Sequence, residues 1–356
     1  SDNNPLNEFY EPYDPVLDEI LTHDSISTQM IKNTLIWNSL SYRKPNKTPL
    51  FFFYFGGHHA AYKLFQATND SLLYVRRYNN NQLGVLGGFN LNIKNKTQIL
   101  AHLDMLIGGY QAGDFTFESK ASQGFRTKTK DFGEIEISLK LLSQSPSWFY
   151  NGLLSNHFRW DNNFEKQNTF ELEGAYKYKF VKVAVKQASV DKYLFLNSNA
   201  TPEQIGGTLN IRTIKSTFDI GKGKFEIRGF ISYQKADIDS VMHLPEFAAN
   251  LKFAFSQTLF NKAAVVQPGF NIRWFSAYYA DAYMPALRRF HVQYDKKIGN
   301  YPYLDVILAL KVKRANIYIQ YANLFGLTGD FNYFTTPGYP MRDARFYFGV
   351  NWRFFQ

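Results

Sequence analysis

Hydrophobic and polar residues take turns along most of this chain. The final segment is the clearest case. Phe346, Phe348, Val350, Trp352 and Phe354 fall on one set of alternate positions, and Arg345, Tyr347, Gly349, Asn351 and Arg353 on the other. Side chains on a strand switch faces at every residue, so this segment has one apolar, aromatic face and one polar, charged face. The pattern recurs upstream. Ile135, Ile137, Leu139 and Leu141 alternate with Glu134, Glu136, Ser138 and Lys140, and Phe170, Leu172 and Gly174 with Glu171 and Glu173. Val181, Val183 and Val185 alternate with Lys182 and Lys186, and Phe225, Ile227, Gly229 and Ile231 with Glu226 and Arg228. Leu304, Val306, Leu308 and Leu310 alternate with Asp305 and Lys311.

A soluble sandwich also has strands with one wet face. Its strands average about five or six residues, whereas these runs reach nine or more, as a tilted membrane strand must. The pattern therefore predicts an all-β fold: a transmembrane antiparallel up-and-down β-barrel of about sixteen strands (roughly 14–18), with short periplasmic turns and long extracellular loops. The strands fall at 29–40, 50–56, 60–77, 82–93, 97–119, 131–142, 147–160, 165–177, 179–191, 205–215, 222–236, 248–260, 264–281, 302–312, 315–324 and 343–354. Sixteen passes put both ends of the chain at the same rim. Among the connectors, Ser143 to Pro146 reads as short and Ala121 to Lys130 as long. Residues 1–28 are polar, acidic and interrupted by proline, and are expected to be a periplasmic lead-in to a single barrel domain spanning 29–356.

Composition agrees with a membrane wall. Aromatic residues make up 18% of the 356 residues, with 34 Phe and 24 Tyr, as lipid-facing strands and interfacial girdles require. No apolar run approaches the roughly 18 residues of a helical span. There is no cysteine, hence no disulfide frame and no thiolate chemistry. The net charge of +10 fits a cationic lumen and loop surface, able to prefer anions or to meet acidic lipid headgroups.

Toward the C-terminus the wording becomes specific. Ala280-Asp281-Ala282-Tyr283-Met284-Pro285, Gly299-Asn300-Tyr301-Pro302-Tyr303-Leu304-Asp305 and Lys311-Val312-Lys313-Arg314-Ala315 are followed by Tyr339-Pro340-Met341 and Phe348-Gly349-Val350-Asn351-Trp352-Arg353-Phe354. From about Tyr278 to Gln356 this resembles the C-terminal region of the putative porin family of Bacteroidota outer membranes. The resemblance implies an outer-membrane barrel with a channel role. It brings no catalytic or ligand residues with it.

Candidate chemistry is sparse. His58-His59, after Gly56-Gly57, reads as a turn, but adjacent residues there lack a third metal ligand. His102, His157, His243 and His291 could each serve as a base, yet nothing resembling a hydrolase site surrounds them. No enzyme, cofactor or metal is expected. The inward-facing charges are the stronger candidates for pore lining. They are Glu134, Glu136, Lys140, Glu171, Glu173, Lys182, Lys186, Arg212, Glu226, Arg228, Arg273, Asp305, Lys311, Arg345 and Arg353. Turned toward lipid near midplane, each Lys or Arg would cost roughly 2–4 kcal/mol. The leading expectation is an outer-membrane porin for passive diffusion of small polar solutes. The alternative is a non-conducting barrel that serves as a subunit or scaffold of a larger nutrient-uptake or secretion complex. Expected partners are outer-membrane lipid, lipopolysaccharide and envelope-complex proteins, with no nucleic acid.

Overall fold

The computed structural model describes residues 24–39, 50–68, 75–93, 96–155, 157–329, 332–352 and 354. Its dominant feature is one antiparallel sheet in which each strand pairs with the next in sequence. We number the passes β1 (Asp24–Asn38), β2 (Phe51–Thr68), β3 (Val75–Ile93), β4 (Thr97–Gly108) and β5 (Phe115–Arg126). Next come β6 (Asp131–Gln144), β7 (Gln167–Tyr178), β8 (Val181–Asp191), β9 (Thr208–Lys222) and β10 (Phe225–Ala236). The wall ends with β11 (Phe247–Phe255), β12 (Ala264–Phe275), β13 (Tyr303–Val312), β14 (Ala315–Ala322) and β15 (Arg345–Trp352). A short segment, Gln257–Leu259, continues β11 past Ser256 and stays paired with β12.

The described residues form fifteen passes, within the expected 14–18, but not at every expected place. The expected strands 50–56 and 60–77 overlap a single strand, β2, and its neighbour β3; His58 and His59 stand mid-strand, not in a turn. The expected strand 97–119 is two, β4 and β5, joined by a turn with left-handed glycines at Gly109 (φ 96) and Gly113 (φ 84). The expected strand 147–160 is no pass of the wall. It folds as a helical turn, Trp148–Asn151, and a small hairpin of Gly152–Leu154 with Arg159–Asp161. Accordingly the β5–β6 connector is a tight turn over 127–130, and Ser143 to Pro146 opens a long connector instead of closing a short one. The first described strand starts at Asp24, within the expected lead-in; residues 1–23 lie outside the described residues.

Connectors alternate in length. Short ones occupy 127–130, 179–180, 223–224, 260–263 and 313–314. Left-handed Lys179 (φ 50), Gly223 (φ 61) and Lys313 (φ 50) turn the three two-residue links, as tight hairpins demand. Long connectors cover 145–166, 192–207, 237–246, 276–302 and 323–344. Over the described passes, Asp24 stands at the long-loop rim and Trp352 at the short-turn rim. Among the described residues no hydrogen-bonded pair joins β1 to β15, and β1 is exposed on both faces.

The register assigns every side chain to a face. Ile135, Ile137, Leu172, Val185, Ile231, Leu308, Ile319, Phe348 and Val350 are exposed on the outer face. Near the short-turn rim that face carries a belt of rings. Trp37 lies 5.1 Å from Phe55 and 5.6 Å from Phe53, Phe225 lies 5.0 Å from Phe255, and Trp352 lies 6.2 Å from Phe354. An exposed apolar band edged by aromatics is what hydrocarbon and its interface select. No helix among the described residues is long and apolar enough to cross a membrane; the strands provide the crossing.

Candidate functional site: a charged inner wall beneath packed loops

Two-residue spacing along each strand and antiparallel register bring the inner-face charges into adjacent rungs. Lys140 on β6 lies 2.7 Å from Glu118 on β5, and Lys186 on β8 lies 3.5 Å from Glu171 on β7. Nearer the short-turn rim, Glu136 accepts from two lysines, Lys120 at 3.0 Å and Lys182 at 2.5 Å. Along these rungs opposite signs stand on neighbouring strands, as cross-strand pairing favours, although Lys177 stands opposite Lys182 and Arg228 opposite Lys252. Glu134 stands opposite Lys177, and Glu173 opposite Lys186 and Ser138. Further round, Arg228 lies 2.9 Å from Asp219 and 3.2 Å from Glu226. Lys311 and Arg345 share this inner face, paired in register with Asn316 and Ala322.

Before β5 the inner wall changes character. Its lining there is rings and amides: Phe52, Tyr54, His58, Tyr62 and Gln66 on β2. Tyr54 Oη and His102 Nδ1 share a hydrogen bond of 2.7 Å, and His58 Nε2 meets Asp104 Oδ1 at 2.9 Å. Each ring reaches β4 by crossing a glycine of β3. A Cβ on Gly88 would lie 2.6 Å from Tyr54 Oη, and one on Gly84 would lie 2.3 Å from His58 Nε2. His59 points outward and meets Asn81 at 3.2 Å, so the histidine pair is split between faces.

The rim beside β12–β14 carries a buried polar knot. Asp305 is buried and faces Arg273 at 3.3 Å. Its other oxygen accepts the backbone N–H of Asn323 at 3.0 Å, and Asn323 in turn accepts from the Tyr301 hydroxyl at 2.5 Å. The Arg273 guanidinium also lies 4.4 Å from the Tyr303 ring centroid.

Above the wall, the long connectors pack on one another. Phe149 and Leu153 from 145–166, Leu196 and Ala200 from 192–207, and Leu287 from 276–302 form one apolar cluster. The same 145–166 connector leaves β6 yet docks at β1–β3. Gln66 donates to Gly152 O at 3.2 Å and accepts from Leu154 N at 2.9 Å, and Ser155 donates to Asp24 at 2.8 Å. Leu209 and Ala236, at the strand ends, are buried with Val190 under Tyr193, Ile238, Met242 and Leu244. His243 Nδ1 stands 3.3 Å from Asp281, linking 237–246 to 276–302. Burial holds the Asp281 carboxyl above its usual range, opposed by His243. Burial pushes the Tyr193 hydroxyl up to about 12. The Tyr333 hydroxyl, which donates to Asp343 at 2.6 Å, is also pushed up to about 12, by that bond first.

Of the fifteen residues expected to line a pore, the inner face holds thirteen. Arg212 is a correction. It sits on the outer face near the long-loop rim, paired with Lys235 and Gln187 in register and donating to Gln187 at 3.3 Å. Its neighbours Leu209 and Ile211 point inward because loop residues, not lipid, cover them. Arg353 lies outside the described residues. The expectation missed Glu118 and Lys120, although Phe115 and Phe117 alternate with them. It also missed Lys215, displaced by the same slip that misplaced Arg212, and Asp219, which lies beyond the expected strand end at 215.

A family model described as "Putative porin" matches residues 1–356, well beyond the C-terminal quarter where the motifs lie. No curated protein matches the chain. Among solved structures, the siderophore receptor PirA from Acinetobacter baumannii superposes with a TM-score of 0.61 at 10% identity, covering 92% of this chain and 55% of that one. The copper transporter OprC gives 0.60 at 9% identity, covering 85% and 51%. The ferric yersiniabactin uptake receptor FyuA from Yersinia pestis gives 0.54 at 13%, covering 93% and 53%. The chain thus spans about half the length of these receptors. At such identities the likeness is one of fold: the wall of an outer-membrane β-barrel.

Proposed function

The chain belongs to the putative porin family and resides in the cell outer membrane, and from that premise we propose that its inner wall lines a passive aqueous route for small polar solutes. One observation carries the reading. Through the depth at which the outer face is apolar, the inner face bears paired charges such as Glu118 with Lys140 and Glu136 with Lys120 and Lys182. Charges at membrane depth face protein or water, since hydrocarbon would cost each of them several kcal/mol. A wall of this kind favours hydrated solutes and tunes their passage by sign. The motifs Tyr339-Pro340-Met341 and Phe348-Gly349-Val350 support a Bacteroidota-type envelope as its setting.

Reconstitution in planar bilayers tests the proposal. Discrete conductance steps are expected, with ion selectivity shifted toward cations by Arg273→Glu or Arg345→Glu. Silence of the correctly folded protein would sink the porin reading.

The loop layer favours a second reading. Connectors 145–166, 192–207 and 276–302 interlock above the wall through Phe149, Leu196 and Leu287, and 276–302 meets 237–246 through Asp281 and His243 and 323–344 through Tyr301 and Asn323. A barrel capped in this way could act as a scaffold of an envelope complex. That reading expects no conductance and a stoichiometric partner protein after purification in mild detergent.

A further inference from the structure

The inner wall between β2 and β8 bears an open cavity of about 550 Å³. Small-molecule sites occupy roughly 300–1,000 Å³. The two ends of this cavity differ in chemistry but lie along the same hydrogen-bonded register. Register runs from Tyr54 through Gly88 and His102 to Glu118, Lys140 and Glu171, so ring and charges stand in a single row across six strands. The adjoining row starts at Phe52 and ends at Glu173 and Lys186.

The ring end is a platform. Tyr54 and His102 are inclined by only 26°, with centroids 6.0 Å apart, and a hydrogen bond joins their edges. Tyr54 lies across Gly88, where any Cβ would displace it, and so rests against the wall. The charged end is balanced. Lys140 meets Glu118 and Lys186 meets Glu171, and with Lys120 and Glu173 the formal charges of the lining cancel. An anionic ligand would call for surplus cations there, and a cationic one for surplus carboxylates. Ammonium donors beside carboxylate acceptors instead match groups that donate and accept at once, as hydroxyls do. Rows of hydroxyls on a ring with an apolar C–H face combine both demands.

We infer that this cavity is a binding subsite for uncharged saccharides, with the Tyr54–His102 surface stacking on a sugar ring and the Lys–Glu rungs holding its hydroxyls. The inference rests on the porin reading for the traffic of sugar through the lumen, and on the cavity alone for binding.

The test measures binding without conduction. The full chain, in a detergent lacking a sugar headgroup, is titrated by saturation-transfer NMR with maltotriose, cellotriose and xylotriose. Trigalacturonate and the glucosamine trimer serve as anionic and cationic counterparts. At least one neutral trimer is expected to bind saturably and more tightly than either charged one. Tyr54→Ala should weaken that binding about tenfold, and Tyr54→Phe by no more than about twofold. Where Tyr54→Ala fails to show the heat-modifiable gel migration of a folded barrel, Tyr54→Leu takes its place. Absence of binding by all three neutral trimers, preference for a charged trimer, or unchanged affinity in the folded non-aromatic variant would each overturn the inference. A silent protein that binds sugar would sink the porin reading alone, and a conducting one that binds none would sink this inference alone.

Discussion

Asp305 and Arg273 face each other across the β12–β13 pairing at 3.3 Å, and the carboxylate that steadies the guanidinium also anchors the first residue of the 323–344 connector. The wall and the loop layer therefore share one acidic group. Asp305→Ala should remove the acceptor of a buried N–H and leave Arg273 unmatched. About 1–3 kcal/mol of local stability is expected to be lost, toward the low end because Arg273 is half-exposed. Limited proteolysis of 323–344 should then become faster while the wall keeps its heat-modifiable migration. Unchanged protection would show that the loop is held by other contacts.

Glu136 serves two lysines, Lys120 and Lys182. Glu136→Gln frees both cations on one stretch of inner wall. Reversal potentials in a salt gradient should move toward anion preference, and the shift should fade at high salt as screening grows. A shift toward cations would contradict the inward placement of this group.

Orientation can be tested at neighbouring residues of β14. Ile319 faces outward and Gln320 inward. Ile319→Lys should cost roughly 2–4 kcal/mol if placed near midplane, whereas Gln320→Lys should be nearly neutral. Unfolding titrations of the barrel in lipid vesicles would read both. Equal costs would remove the distinction between the two faces.

Gly88→Ala would put a methyl group 2.5 Å from Ala101 O as well as against Tyr54. Overpacking of this kind typically costs about 1–3 kcal/mol. The expected outcome is a lower unfolding temperature. A variant as stable as the parent would mean that the Tyr54 ring does not lie across the wall.

The loop layer should have an alkaline limit. Tyr333 donates to Asp343 and its hydroxyl is raised from an ordinary 10.0 to about 12. A group whose pKa is higher folded than unfolded stabilises fully below the unfolded value and loses that contribution as pH rises through the folded one. The Tyr333–Asp343 contribution should therefore be complete below about pH 10 and gone above about pH 12. Ultraviolet titration should show late-ionising tyrosine, and Asp343→Asn should move one tyrosine toward 10. An unaltered titration curve in that variant would discount the bond.

Alternation in sequence placed the wall correctly wherever lipid was the cause of the apolar positions, as in β6, β7, β10 and β14. It misled where protein covered them. Leu209 and Ile211 look lipid-facing, but Leu209 is buried and Ile211 half-buried beneath loop side chains, and an outward reading of them turns Arg212 inward. The run Trp148, Phe149, Tyr150, Leu153 and Leu154 reads as a strand for the same reason: its apolar surface fills a core made by three connectors. No local signal separates hydrocarbon from a loop core, because both reward the same residues. The missed turn after β4 did leave a trace, in Gly109 and Gly113. The aromatic platform was invisible, since Tyr54 and His102 are 48 residues apart and meet only through the register of three strands.

The number of passes has a consequence for how the ring can be joined. The described passes number fifteen, which is odd, so β1 and β15 both run from the loop rim down to the turn rim. Laid directly against each other they would make a parallel seam, unlike every other neighbour in the wall. A second copy inserted in the same membrane sense would repeat that mismatch at each join. Only a segment of one, three or another odd count of strands could meet both borders with opposing direction, and spare their amides the cost of bare hydrocarbon.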